Sequence, residues 1–155
     1  MILKTNFYVI TGGPGVGKTS LINELQQRGY RCIPEVARVI IKEQMEQGGI
    51  ALPWKDTEHY SRLMLERSVD SFISLSQNDG GGICFFDRGI PDTYGYNRLI
   101  NLPIGKELQY AAEEYRYNPL VFILPPWEEI YTTDNERKQS LQEAIDTYEV
   151  MKTTY

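Results

Sequence analysis

The stretch Phe7-Tyr-Val-Ile-Thr-Gly-Gly-Pro-Gly-Val-Gly-Lys-Thr19 decides the fold of this 155-residue chain. It opens with aromatic and β-branched residues, which favour a short buried strand. A glycine-rich part follows, and beyond it Leu21, Ile22 and Leu25 recur with the spacing of one helix face until Gly29. The stretch therefore predicts a strand, a tight loop and a helix that ends at a glycine.

The loop in this stretch matches a phosphate-binding pattern. Residues 12–19 fit G-x-x-x-x-G-K-S/T, and they lie between a predicted strand and a predicted helix, as the pattern requires. Small residues let backbone N–H groups surround an anion, and the helix start adds unpaired N–H groups and a positive dipole end. The predicted nucleotide-binding residues are Gly12, Gly13, Pro14, Gly15, Val16, Gly17, Lys18, Thr19 and Ser20.

Two side chains of the loop can contact the phosphates and the metal ion of a bound nucleotide. Lys18 can reach the β- and γ-phosphates of a nucleotide, and the Thr19 hydroxyl can ligate Mg²⁺. Since no N-K-x-D guanine-reading motif occurs in the chain, ATP is favoured over GTP. The predicted cofactors are therefore ATP and Mg²⁺.

The rest of the chain alternates between strand and helix patterns. Further strands are predicted over 30–33, 83–86 and 120–124. Further helices are predicted over 35–47, 91 to about 100, about 108–115 and from Asp134 onward, and a long helix is predicted from a cap at Asp56 or Thr57 to just before Asn78. Strands that alternate with helices and are apolar on both faces predict an α/β fold of three layers, with a parallel sheet between helices. No long linker divides the chain, so we expect one domain over residues 1–155. In such sheets, ligands bind at the carboxyl ends of the strands.

Composition excludes several functional classes. The chain is 41% hydrophobic and 24% charged, which is ordinary for a globular domain. A net charge of -5 disfavours nonspecific binding to nucleic acid, and no apolar run approaches the ~20 residues of a membrane span. Two cysteines and the absence of a signal peptide predict a cytoplasmic protein, and one histidine excludes histidine-cluster chemistry.

The end of the second predicted strand carries Glu35 and Arg38. Residues three apart share a face at a helix start, so these two can pair. One interpretation is structural, with Glu35 complementing the helix dipole and Arg38 pairing with it. The other is functional, with Glu35 accepting a hydrogen bond from a substrate hydroxyl.

The third predicted strand ends at Phe86-Asp87-Arg88-Gly89. An acidic residue that closes an apolar strand is well placed to hold the water shell of Mg²⁺, although Asp also favours turns. The neighbouring phosphate loop favours the metal role for Asp87. Arg88 can enter the same cleft or remain a solvated surface residue.

After the fourth predicted strand, residues 125–138 form a long polar segment. Such a segment can close over phosphates as a lid, with Arg137 stabilising transition-state charge and excluding water. The alternative is a solvated helix start. The candidate catalytic residues are therefore Lys18, Glu35, Asp87, Arg88 and Arg137, and the candidate metal ligands are Thr19 and Asp87.

These motifs resemble a family of P-loop proteins: small AAA-type ATPase or kinase-like domains related to the nicotinamide riboside kinase domain. The chain is more distantly similar to thymidylate and deoxynucleoside kinases. The resemblance rests on the loop 12–19, on Glu35-Val-Ala-Arg38, on Phe86-Asp87-Arg88-Gly89, and on Leu124-Pro-Pro-Trp127 with Thr133-Asp-Asn-Glu-Arg137.

The resemblance implies a sheet of kinase-like order 2-3-1-4, in the numbering of the four predicted strands. It also implies a contact of Glu35 with an acceptor hydroxyl, Asp87 near Mg²⁺ or that hydroxyl, Arg88 near the transferring phosphoryl group and Arg137 in a lid. The family pattern has a fifth strand after the last helix. That strand is missing from this sequence, so we expect the domain to be incomplete at its C-terminus.

The sequence therefore favours a Mg-ATP-dependent phosphotransferase that acts on a nucleoside-like or other small hydroxyl compound. We expect no nucleic-acid or membrane partner, and the oligomeric state stays open. A nucleotide-dependent ATPase switch or binding module is the alternative, because a phosphate loop alone does not separate binding from transfer. A scaffold that has lost nucleotide binding is the third interpretation.

Overall fold

The computed structural model describes the backbone of residues 1–130 and 135–155, and the side chains of residues 1–129 and 141–155. The strands are β1 (Ile2–Leu3), β2 (Phe7–Gly12), β3 (Arg31–Ile33), β4 (Cys84–Asp87), β5 (Tyr115–Arg116) and β6 (Phe122–Leu124). The α-helices are α1 (Lys18–Gln27), α2 (Val36–Gln47), α3 (Thr57–Gln77), α4 (Ile90–Leu99), α5 (Lys106–Glu114) and α6 (Asn135–Thr154), and a 3₁₀ turn covers Glu128–Ile130.

The larger sheet has four parallel strands in the order β3-β4-β2-β6. Ile10 of β2 pairs with Asp87 of β4 and Phe122 of β6. Since all four strands run in the same direction, their carboxyl ends meet at one edge. That edge carries the phosphate loop after β2, Glu35 just beyond β3 and Asp87 at the end of β4. The predicted α/β class with a parallel sheet is confirmed.

A second, smaller sheet was not predicted from the sequence. β1 and β5 pair in parallel, with Ile2 opposite Tyr115 and Leu3 opposite Arg116. Each strand is only two residues long, and its residues are exposed or half-buried, so neither leaves a recognisable alternation in the sequence.

The main core lies between the sheet and helices α3, α4 and α5. Alternation along β2 directs Phe7 and Val9 to one face, where both are fully buried. Phe7 packs edge-to-face against Phe72 of α3, with 5.4 Å between the ring centroids. It also packs against Phe86 of β4, with 5.1 Å between the ring centroids. Aromatic contacts of this kind add to the free energy of burial.

The last helix packs against the functional edge of the sheet. α6 contacts β2, β6 and, most extensively, α4. Its Ala144 is fully buried and packs with Val16 of the phosphate loop. Among the described residues, none of the helices combines the length and the apolar character needed to cross a bilayer.

Candidate nucleotide-binding site

The phosphate loop adopts a backbone that only glycine takes easily. Gly15 and Gly17 have φ angles of 71° and 95°, in the left-handed region where a Cβ would clash. Gly17 is the N-cap of α1, and no side chain caps the helix start. The first turn of α1 contains no acidic residue. The helix therefore presents uncapped N–H groups and an uncompensated positive dipole end, which is what an anion requires.

Gly13 is required for a different reason, because α6 lies directly against it. A Cβ built at Gly13 would lie 2.5 Å from the Cα of Ala144 and 3.1 Å from its carbonyl oxygen. No side chain fits there without a shift of the α6 backbone. The phosphate loop is thus supported by direct packing against α6.

Lys18 lies between two carboxylates. Its Nζ is 3.2 Å from Oδ1 of Asp87 and 4.0 Å from Oε2 of Glu35. All three side chains are largely buried. Three of the predicted catalytic residues, which come from the ends of three different strands, therefore lie together in the structure.

Arg88 joins this group through an unusual backbone. It has a φ of 68°, which is uncommon for a residue other than glycine and costs conformational free energy. Its N–H donates to the carbonyl of Ile10 at 2.9 Å, and its guanidinium Nε donates to Oε1 of Glu35 at 3.0 Å. These contacts aim the guanidinium at the carboxyl edge of the sheet and hold the strained conformation.

Asp92, in the first turn of α4, collects four hydrogen bonds. It accepts from Nη1 of Arg88 at 3.4 Å and from the backbone N–H of Gly89 at 2.8 Å. The hydroxyls of Thr11 and Tyr155 also donate to it. This buried carboxylate therefore ties the Arg88 guanidinium to β2, to α4 and to the end of the chain.

Two cavities meet at Glu35 and Arg88. The phosphate-loop cavity has a volume of about 400 Å³ and is lined by residues 13–19, Glu35, Arg38 and Arg88. The helix cavity has a volume of about 170 Å³ and lies between helices α2, α3, α4 and α6. It is lined by Glu35, Val36, Ala37, Tyr60, Met64, Ser68, Arg88, Gly89, Asp92, Thr93, Tyr96, Leu99, Thr147 and Met151.

Burial and neighbouring charges together shift the pKa values of Asp87 and Arg88. Burial raises the pKa of the Asp87 carboxyl, and the attraction of Lys18 only partly opposes it, while Glu35 raises it further. Burial works to lower the pKa of Arg88, but Asp92, Glu35 and Asp87 outweigh it and raise that pKa. Arg88 therefore stays charged, whereas ionised Asp87 is held at a cost in folding free energy.

Tyr60 contributes a neutral hydroxyl to the helix cavity. Burial raises the pKa of Tyr60 to about 12, with smaller contributions from Tyr96 and Glu35. Its ring meets that of Tyr96 edge-to-face at 5.8 Å. The phenol therefore remains protonated at neutral pH and can donate a hydrogen bond.

The residues present fit a nucleotide-bound Mg²⁺. Thr19 is exposed in the phosphate-loop cavity, and Asp87 offers carboxylate oxygens beside Lys18. Among the described residues no group of three or more His, Cys, Asp or Glu could hold a metal ion by itself. A small set of protein oxygens suits Mg²⁺, which usually takes its remaining ligands from phosphates and water.

Most residues of the helix cavity were not predicted from the sequence. Ser68, Thr93, Tyr96 and Thr147 come from three helices, and none of them belongs to a motif. Their only sequence signal is a polar residue on an otherwise apolar helix face. The side chain of Arg137 and part of the predicted lid over 125–138 lie outside the described residues, so their roles stay predictions.

The parallel sheet, the glycine-rich loop and the uncapped helix behind it define a P-loop nucleotide-binding domain of the NTPase type. A model of the AAA_28 family, described as an AAA domain, matches residues 7–155, and the chain belongs to that family. The resemblance to AAA-type P-loop domains is thereby confirmed, while the closer relation to nicotinamide riboside kinases stays a prediction. No curated protein matches the chain.

Proposed function

We propose that this protein is a Mg-ATP-dependent phosphotransferase whose acceptor is a small unphosphorylated alcohol, of nucleoside-like or similar size. The observation that carries the proposal is the junction of the two cavities. Glu35 and Arg88 line both the phosphate-loop cavity and the helix cavity. An ATPase has no need of a second cavity beside its phosphate site, whereas a phosphotransferase needs one for its acceptor.

Each step of the proposed reaction can then be assigned to one of the residues that lie together in the site. An acceptor hydroxyl held in the helix cavity beside Glu35 attacks the γ-phosphorus of ATP, and a new oxygen–phosphorus bond forms. The bond from that phosphorus to the bridging oxygen of ADP breaks, and Glu35 takes the hydroxyl proton. Lys18 and Arg88 stabilise the charge that develops on the phosphoryl oxygens. The proposal gives Arg137 the same task from a lid.

The metal ion has a defined place in this scheme. Thr19 and Asp87 would hold it, and when bound with the nucleotide it neutralises phosphate charge. Asp87 is suited to this task because its neighbour Lys18 would turn toward the phosphates once a nucleotide is bound. That change would leave the buried carboxylate in need of a new cationic partner.

The charges of the helix cavity favour an acceptor without a phosphate. Its described lining contains two carboxylates, Glu35 and Asp92, and one cation, Arg88. The Arg88 guanidinium already bonds both of these carboxylates. An acceptor phosphate would therefore meet net negative charge, which disfavours a nucleoside-monophosphate substrate.

Turnover with matched acceptors tests the proposal. The full chain is incubated with Mg-ATP and a panel of nucleosides and other small alcohols, and with the monophosphate of each nucleoside. We expect acceptor-dependent release of ADP and a phosphorylated product, detected by mass spectrometry, for at least one free alcohol and for none of the monophosphates.

The opposite results assign a different function. Steady ATP hydrolysis that no acceptor stimulates would favour the ATPase switch and would contradict the phosphotransferase. If neither ATP nor GTP with Mg²⁺ raises the melting temperature, the scaffold interpretation gains support.

A further inference from the structure

Three hydroxyl groups in the helix cavity have no hydrogen-bond partner among the residues whose side chains are described. Tyr60, Ser68 and Thr147 are 4%, 8% and 7% exposed, so each is more than nine-tenths buried. Among the side chains that the structure describes, none forms a hydrogen bond with any of these hydroxyls, and no backbone group does so either. This is unusual, since buried hydroxyls in folded proteins are nearly always paired.

The unpaired hydroxyls retain accessible surface. No fully enclosed polar side-chain atom among the described residues lacks a partner. The oxygens of Tyr60, Ser68 and Thr147 must therefore reach open space, and the cavity that all three residues line is the helix cavity. Thr93 has the same property but also lines a neighbouring cavity, so its hydroxyl is not confined to the helix cavity.

The remaining walls of the helix cavity are apolar. Val36, Met64, Leu99 and Met151 line it together with the ring of Tyr96. Flat aromatic and flexible methionine surfaces suit a planar ring. A volume of about 170 Å³ leaves room for one substituted ring, given that a water molecule in the liquid takes about 30 Å³.

We propose that Tyr60, Ser68 and Thr147 determine acceptor specificity, by selecting an alcohol whose ring carries hydrogen-bonding heteroatoms over one whose ring is a hydrocarbon. The inference rests on the phosphotransferase function proposed above. Its physical basis is that a hydrocarbon ring would bury three hydroxyls without partners, whereas a polar ring supplies them. The last helix thereby becomes part of the acceptor site, because Thr147 lies on α6.

The test compares two acceptors that differ only in the ring. Uridine is one, and ribose that bears a phenyl ring in place of the base is the other. We expect kcat/KM of the intact protein to be about 100-fold higher for uridine, because a site built for hydrogen bonds rejects an analogue that lacks them. Cytidine serves as a second acceptor with a polar ring.

Three variants then assign the effect to the hydroxyls. We expect Tyr60→Phe, Ser68→Ala and Thr147→Val each to raise KM for uridine about tenfold, with kcat little changed and KM for the phenyl riboside unchanged. Tyr110→Phe is the matched control, since Tyr110 is 61% exposed and lies outside the helix cavity. Thr147→Ser keeps the hydroxyl and should restore the KM of the intact protein.

The outcomes separate the inference from the function. Equal kcat/KM for the two rings, or variants that weaken both acceptors alike, would overturn the inference and leave the phosphotransferase standing. If neither acceptor is phosphorylated, calorimetric titration of both into the protein with an unreactive ATP analogue decides. Uridine binding that the three variants weaken would uphold the inference without turnover, and binding of neither probe, or of both equally, would overturn it.

Discussion

The phosphate-loop cavity and the helix cavity share two residues but are built in opposite ways. The first is made mainly from one continuous stretch, residues 13–19, and depends on backbone groups. The second is assembled from four helices that are far apart in sequence, and it depends on side chains. Phosphate recognition requires a fixed backbone shape, whereas recognition of a ring requires only a set of side chains at suitable positions.

Because of this contrast, we expect the two cavities to respond differently to substitution. A change in the loop disturbs a backbone that has few alternatives. A change in the helix cavity alters its volume or one hydrogen bond and leaves the rest of the wall in place. The variants below are ordered from the largest expected effect to the smallest.

Removal of the loop cation should have the largest effect. We expect Lys18→Met to lower ATP turnover about 1000-fold, because the positive charge that faces the transferring phosphoryl group is lost. Protection against thermal unfolding by Mg-ATP should fall with it. Lys55→Met, at an exposed position, is the control and should behave like the unchanged protein. Full turnover in Lys18→Met would show that the loop cavity is not the reaction site.

A methyl group on Gly13 should break the support of the loop by α6. Its Cβ would lie 2.5 Å from the Cα of Ala144, so the helix or the loop must move. For Gly13→Ala we expect a loss of about 1–3 kcal/mol in the free energy of unfolding and a nucleotide affinity about tenfold lower. Chemical denaturation and nucleotide titration measure both.

The control for this variant is Gly82→Ala. Nothing lies within 4 Å of a Cβ at Gly82, and its φ is not in the left-handed region. Equal stability losses in the two variants would mean that the contact of Gly13 with α6 is unimportant.

Filling the helix cavity should weaken binding of the acceptor but not binding of the nucleotide. Ala37 lines this cavity and packs beside Ile40, Tyr60 and Met64. We expect Ala37→Leu to raise the KM of the acceptor about tenfold and to leave thermal protection by Mg-ATP unchanged. Val39→Leu, on the exposed side of the same helix, should change neither quantity. A loss of nucleotide protection in Ala37→Leu would show that the two cavities are not separable.

The smallest expected effect is on stability and comes from Asp87. Because its folded-state pKa is raised, the folded protein binds a proton more readily than the unfolded chain near that pKa. The free energy of unfolding of the intact protein relative to Asp87→Asn should therefore rise as the pH falls toward the pKa of Asp87. At neutral pH we expect Asp87→Asn to melt about 2–4 °C higher, although transfer should be impaired.

Thermal unfolding of both proteins between pH 4 and pH 8 measures this effect. A difference in melting temperature that does not change with pH would mean that the Asp87 pKa is not raised. A lower melting temperature for Asp87→Asn at neutral pH would mean that its pairing with Lys18 outweighs the cost of burial.

Much of the fold could be predicted because the strong patterns lie within continuous segments. The phosphate loop, the long helix over Thr57–Gln77 and the strand that ends at Asp87 each carry a local signal. The two-residue strands β1 and β5 carry none, because pairing between distant short segments depends on the whole fold.

The candidate site likewise contains residues that could be predicted from the sequence and residues that could not. Lys18, Glu35, Asp87 and Arg88 each lie at or shortly after the carboxyl end of a strand, where ligands bind in parallel sheets, so these residues could be predicted as site residues. Their mutual contacts agree with that prediction. Asp92 and the hydroxyls of the helix cavity lie inside helices, where a polar residue on an apolar face has many explanations. Only the packing of α3, α4 and α6 brings them together.

The position of α6 also affects how the protein matures during synthesis. The phosphate loop is made more than a hundred residues before Ala144, Thr147 and Met151, the residues of α6 that pack against the loop and complete the helix cavity. At ribosomal rates of about 5–20 residues per second, the loop exists for several seconds or more before this helix follows. A nascent chain therefore carries the nucleotide motif well before its helix cavity is complete, and the proposed affinity for an acceptor would arise only when α6 docks.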